Sequence, residues 1–167
     1  MRSKLLLSAV AVFMAVIVSA CGDTTPSATA PSPSPAASPA ASPAAAAATI
    51  MVATDAKLGA ILVDGAGKTV YLFVADTGTA STCYTSCASF WPPVLTNGAP
   101  VAGTGAQASL LGTTKRTDGT TEITYAGHPL YYFKPDAAAG DTKGQGVNGF
   151  GALWWVLSPA GKAITIK

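Results

Sequence analysis

Charge is scarce in this chain: only 11% of its 167 residues are charged, against 49% that are hydrophobic. It has one histidine, His128, one glutamate, Glu122, and three cysteines, Cys21, Cys83 and Cys87. No basic stripe exists, so nucleic-acid binding has no support. No acidic block exists either. A single glutamate excludes a glutamate pair for glycoside hydrolysis, and no spacing of aspartates proposes a substitute. His128 sits between Gly127 and Pro129 at the start of a strand, with no triad pattern around it. Its counterpart in the repeat described below is Lys68, so it reads as an exposed turn flank. The one long apolar run, Leu5 to Val18, is shorter than the roughly 20 residues a membrane-spanning helix needs.

What is present begins with that run. Arg2 and Lys4 precede it, and Val18-Ser19-Ala20-Cys21 closes it. A charged start, an apolar stretch and a small-residue cleavage site form a secretory signal over residues 1–20. A cysteine directly after the cut resembles the bacterial lipobox of prolipoproteins. The resemblance implies that Cys21 carries a diacylglyceryl thioether and becomes the lipidated N-terminus. Residues 21–49 then read as a tether rich in proline, alanine and serine, with nothing to build a core. Its Ser-Pro and Ala-Pro steps favour extended backbone. The folded part is expected from about Ile50 to Lys167, enough for one domain. Loss of Arg2 and Lys4 with the signal turns the formal charge of +2 into zero, eight basic residues facing eight acidic ones.

After export only Cys83 and Cys87 remain, as C-Y-T-S-C. An oxidising compartment makes a disulfide the expected outcome. The alternative is a redox pair or a metal site, for which zinc or copper would need further soft or imidazole ligands. Only His128 and Met51 are on offer. No cofactor and no resident metal is expected.

The rest of the chain alternates β-branched or aromatic runs with glycine turns. Ala60–Val63, a turn at Asp64–Gly67 and Lys68–Val74 make one hairpin. Shifted by 60 residues, Glu122–Tyr125, Ala126-Gly127 and His128–Phe133 make another. The shift superposes Tyr71 on Tyr131, Phe73 on Phe133 and Asp76 on Asp136, so both copies carry Y-x-F-x-x-D. A shorter echo, Trp154–Leu157, Ser158–Gly161 and Lys162–Ile166, closes the chain. Residues two apart on a strand share a face, so each tyrosine and its phenylalanine are expected on one core. Asp76 and Asp136 fall just past strand ends, where a carboxylate accepts turn amides. The competing reading makes them a symmetric ligand pair, and turn capping is the one the residues favour.

These stretches resemble a family of bacterial predicted lipoproteins with the motif Y-x-(F/W/Y)-x-x-D, the secreted repeat of unknown function. The match also runs through Leu58-Gly59, Cys83-x-x-x-Cys87-Ala88-x-x-Trp91-Pro92-Pro93, Leu111-Gly112-Thr113 and Arg116-x-Asp118-Gly119. It continues in Thr124-Tyr125-x-Gly127-x-Pro129-Leu130-Tyr131 and Gly140-Asp141-Thr142. The resemblance implies two tandem copies, about 58–95 and 118–160, in an exported and often lipidated protein. It implies no known activity. Val70 and Tyr84 depart from the family's commoner residues without disturbing the fold expected.

Other motifs read structurally. Gly144-x-Gly146-x-x-Gly149 neither opens a helix nor precedes an acid, so it is not a dinucleotide loop. Asp136, Asp141 and Asn148 lack the spacing of an EF-hand. Trp91 is expected to pack over the disulfide after a short helical turn at Cys83–Phe90 that Pro92 stops. Of Trp154 and Trp155, one is expected to face inward. The outward one, with Tyr132, would form an apolar surface patch.

The expected fold is all-β, with antiparallel hairpins in two pseudo-symmetric repeats around one core, as a small sandwich or barrel. The expected role is a non-enzymatic binding or structural module of the cell envelope. It would sit on the extracytoplasmic face of the cell membrane, held by its N-terminal lipid, with an envelope protein or small ligand as partner. A redox or metal-handling accessory using Cys83 and Cys87 is the alternative, and a hydrolase a distant third. The residues singled out are Cys21, Tyr71, Phe73, Asp76, Cys83, Cys87, Trp91, Tyr131, Phe133 and Asp136.

Overall fold

The computed structural model describes residues 47–166. The signal, Cys21 and nearly all of the tether lie outside the described residues. The elements in chain order are β1 (Thr49–Asp55), β2 (Gly59–Asp64), β3 (Tyr71–Phe73), α1 (Ser86–Phe90) and β4 (Val101–Ala102). After a 3-10 turn at Ala108–Leu110 come β5 (Leu111–Lys115), β6 (Thr121–Tyr125), β7 (His128–Pro129), β8 (Asn148–Gly149) and β9 (Ala152–Val156). They form three small sheets, ordered β2-β1-β4, β3-β9-β8 and β5-β6-β7. All pairings are antiparallel except β1 with β4, which is parallel. The all-β expectation holds, and no barrel closes.

Strand alternation builds the interior. Ile61, Val63, Tyr71, Phe73, Trp154 and Val156 point into one buried cluster. Their neighbours Leu62, Val70, Leu72, Trp155 and Leu157 point into a second on the opposite face. The expected single core is thus two layers of packing with strands between them. This corrects one expectation: Trp155 is only 6% exposed, because its strand is covered on both faces. Tyr132 is half-buried, and its hydroxyl donates to Asp64 Oδ2 at 2.9 Å. The two form no surface patch. His128 is also half-buried rather than an exposed flank.

The outer strands of each copy were not foreseen. β1 supplies the partner of β2, and β5 the partner of β6. The second strand of each hairpin is shorter than expected, with regular pairing only at Tyr71–Phe73 and His128–Pro129. The closing segment contributes a single bridge, Leu157 with Ala163.

The two hairpins differ by one residue in their turns. The first runs through Gly65, Ala66 and Gly67, with Asp64 N–H donating to Lys68 O at 2.8 Å. The second needs only Ala126 (φ 50°) and Gly127 (φ 85°), a left-handed pair suited to a two-residue hairpin. Leu130 therefore corresponds to Val70, 60 positions earlier, while its partner Ile123 corresponds to Leu62, 61 positions earlier. Glu122 then stands where the first copy has Ile61.

Candidate functional site

The motif residues meet on a pseudo-two-fold axis. Tyr71 N–H donates to Tyr131 O at 2.8 Å, and Tyr131 N–H to Tyr71 O at 2.9 Å. The side chains then cross. Tyr71 Oη donates to Asp136 Oδ2 at 2.6 Å, and Tyr131 Oη to Asp76 Oδ2 at 2.5 Å. Each tyrosine therefore engages the aspartate of the other copy. The remaining oxygen of each aspartate holds its own turn: Thr82 N–H donates to Asp76 Oδ1 at 2.7 Å, and Lys143 N–H to Asp136 Oδ1 at 3.0 Å. Turn capping, expected from the sequence, is half of what these carboxylates do. Each carboxylate is thus taken up by a tyrosine and a turn amide.

The aromatic rings obey the same axis. The backbone pattern equates Val94 with Leu157, since Ile123 N–H donates to the one carbonyl (2.8 Å) and Leu62 N–H to the other (3.0 Å). Three residues earlier stand Trp91 and Trp154, stacked at 4.0 Å between centroids and 4° between planes. Tyr71 meets Trp91 edge-on at 5.4 Å, as Tyr131 meets Trp154 at 5.1 Å. Phe73 stacks on Trp154 at 4.0 Å, as Phe133 lies on Trp91 at 4.3 Å. Trp91 is fully buried, as expected, and Cys83 Sγ of the disulfide lies 3.9 Å from its carbonyl oxygen. Gly144 makes this packing possible: a Cβ there would lie 2.8 Å from both Trp91 and Tyr71. The glycine-rich stretch thus serves close approach, not phosphate binding.

Burial pushes the Tyr71 phenol far above its ordinary pKa, and the Asp136 hydrogen bond and charge push it further. Burial does the same for Tyr131, with the charge of Glu122 and the bond to Asp76 adding to it. Both remain neutral O–H donors. Burial also raises Asp136, against the pull of Tyr71 and the Lys143 amide.

The Tyr131–Asp76 end carries an extension that the other end lacks. Tyr131 Oη lies 2.7 Å from Ser81 Oγ, which accepts from Arg116 Nη1 at 2.9 Å. The same guanidinium donates to Glu122 Oε2 at 2.7 Å and Cys83 O at 2.7 Å, and lies 4.5 Å from the Tyr84 ring. Arg116 and Glu122 are both buried, and Glu122 Oε1 has no partner among the described residues. Burial drives Glu122 up to about 7 against the Arg116 attraction. Sequence reasoning missed this pair. Its signal was compositional: the only arginine outside the signal and the only glutamate stand six residues apart.

Cys83 and Cys87 are joined in a disulfide, with Cα atoms 5.2 Å apart. It starts α1, whose last turn closes from Trp91 N–H to Cys87 O at 2.7 Å before Pro92. Met51 packs against the buried cluster that holds the disulfide, and among the described residues His128 does not group with the cysteines. Among the described residues no three groups gather as metal ligands.

With this geometry in view, the comparison with known families is decisive. The family described as a secreted repeat of unknown function matches residues 52–95 and again residues 112–158. The chain belongs to that family. The two matches coincide with the two halves related by the Tyr71–Tyr131 axis, so the secreted repeat is the unit that the axis duplicates. No curated protein and no solved structure matches the chain. As a secreted repeat it is an extracytoplasmic module whose role the family leaves open. Among the described residues no helix is long and apolar enough to cross a membrane.

Proposed function

We propose that this protein is a lipid-anchored, non-enzymatic binding module of the bacterial cell envelope, held at the membrane through Cys21. The observation that carries the reading is the direction of the motif. Its hydroxyls and carboxylates face one another across the repeat boundary inside the core, so they give the domain rigidity and not a reactive cleft. A rigid domain on a tether suits display. The redox and metal alternative draws no support from His128, which does not group with the cysteines among the described residues.

Fractionation of cells expressing the wild type and Cys21→Ser tests the anchor. The wild type is expected in the membrane fraction and the variant in the soluble one. A variant that stays membrane-bound overturns the anchor.

A further inference from the structure

The two copies treat one equivalent place differently. In the second copy the wedge between the β5–β6 turn and Ser81–Tyr84 is closed from within by Arg116, which reaches Ser81, Cys83 O and Glu122 and covers Tyr84. Strand register carries Arg116 onto Asp55 and Glu122 onto Ile61. The capped amides of Thr82 and Lys143 carry Ser81 onto Thr142 and Tyr84 onto Gln145.

Among the described residues the first copy has no side chain in the place of Arg116 to close this wedge. Asp55 turns back, its Oδ1 accepting from Lys57 N–H at 2.8 Å and Leu58 N–H at 2.7 Å. Ile61 offers no charge for a cation to reach. A pocket of about 230 Å³ opens here, lined by Lys57, Leu58, Thr142, Gln145 and Ile166. Leu58 packs on the aromatic cluster, which makes the floor apolar. The Gln145 amide is a fixed wall: its Nε2 donates to Ile164 O at 2.6 Å and Ile166 O at 2.8 Å, and its Oε1 accepts from Val156 N–H at 3.0 Å. Among the described residues neither the Lys57 ammonium nor the Thr142 hydroxyl has a side-chain partner. Among the described residues no carboxylate lines the pocket.

We propose that this pocket binds a small amphiphilic carboxylate, its apolar part on Leu58 and Ile166 and its carboxylate on Lys57 and Thr142. One cation and one hydroxyl over an apolar floor suit a monoanion. A phosphate would call for more donors, and a cationic ligand for an acid that the described lining does not hold. At the roughly 30 Å³ that a liquid water takes up, a space of about 230 Å³ holds about eight non-hydrogen atoms. The proposal deepens the binding-module reading by naming a ligand class. It does not involve the lipid, so it and the anchor fail separately.

The test is a two-dimensional amide NMR titration of the full chain as Cys21→Ser, using hexanoate, hexanamide and hexylamine as probes. Hexanoate is expected to give saturable shifts at Lys57, Leu58, Thr142 and Gln145. Lys57→Ala, at an exposed position, is expected to weaken it about three- to fivefold, the upper range of an exposed ion pair. Hexanamide and hexylamine are expected to bind more weakly than hexanoate. Absence of saturable shifts at these residues, or equal response to all three probes, overturns the proposal. So does a Lys57→Ala affinity equal to that of the parent.

Discussion

The two halves of the domain share an axis and a motif, yet they close their interiors by different means. Beside Tyr71 and Asp136 the first half has Ile61 and an open wedge, with Gly144 of the second half against the rings. Beside Tyr131 and Asp76 the second half has a buried Arg116–Glu122 pair, and the loop it grips carries the disulfide. What is common to both is the aromatic stack and the crossed Tyr–Asp bonds. The common part therefore defines the fold, and the different part is where the two copies diverge.

Symmetry makes the sharpest test, because it demands equal responses. Trp91→Ala and Trp154→Ala should each destabilise by about 3–5 kcal/mol. The double variant should fall short of additivity, since the rings stack on each other. Urea unfolding of the three variants measures this, and unequal singles would break the axis as an energetic feature.

The asymmetric element should respond on one side only. Arg116→Ala leaves Glu122 buried without its partner and should cost about 3–5 kcal/mol, whereas removing both charges as Arg116→Met with Glu122→Leu should restore most of it. Ile61→Val, the matching site in the first half, should cost about 1 kcal/mol. Equal losses at the two sites would refute the contrast.

The sign of the pH effect follows from Glu122. Its folded pKa of about 7 exceeds the ordinary 4.5, so the folded state holds the proton more tightly. The stability this contributes is full below about pH 4.5 and is lost as the pH rises through 7. Melting temperature should fall over that interval, by an amount on the order of 2–3 kcal/mol in stability. Glu122→Gln should flatten the profile, and an unchanged slope would show that other groups set it. The smallest contrast is between Tyr71→Phe and Tyr131→Phe. Each should cost about 1–2 kcal/mol, with Tyr131→Phe the larger because its second contact, Ser81 Oγ at 2.7 Å, is shorter than the Gly144 N–H contact of Tyr71 at 3.3 Å.

Local features of this fold were legible in the sequence. Glycine turns marked both hairpins, the two-residue spacing put Tyr71 with Phe73 and Tyr131 with Phe133, and the C-Y-T-S-C stretch announced its disulfide. Three things were not legible, each for a physical reason. Trp154 and Trp155 are both inside because alternation tells inward from outward only where one face of a sheet is wet. Glu122 aligned with the wrong residue because the aromatic motif fixes the shift, while turn length fixes the strand before it. The exchange of Tyr–Asp partners spans 65 and 55 positions, beyond anything a local pattern encodes.

That exchange also governs the order in which the molecule can form. Neither tyrosine has its carboxylate until a loop of more than fifty residues has closed, and such closures slow folding far more than they weaken the finished state. A chain delivered from its N-terminus holds its first half waiting, rings exposed, until the second arrives. One copy alone would wait indefinitely, or find its missing half in a neighbouring molecule.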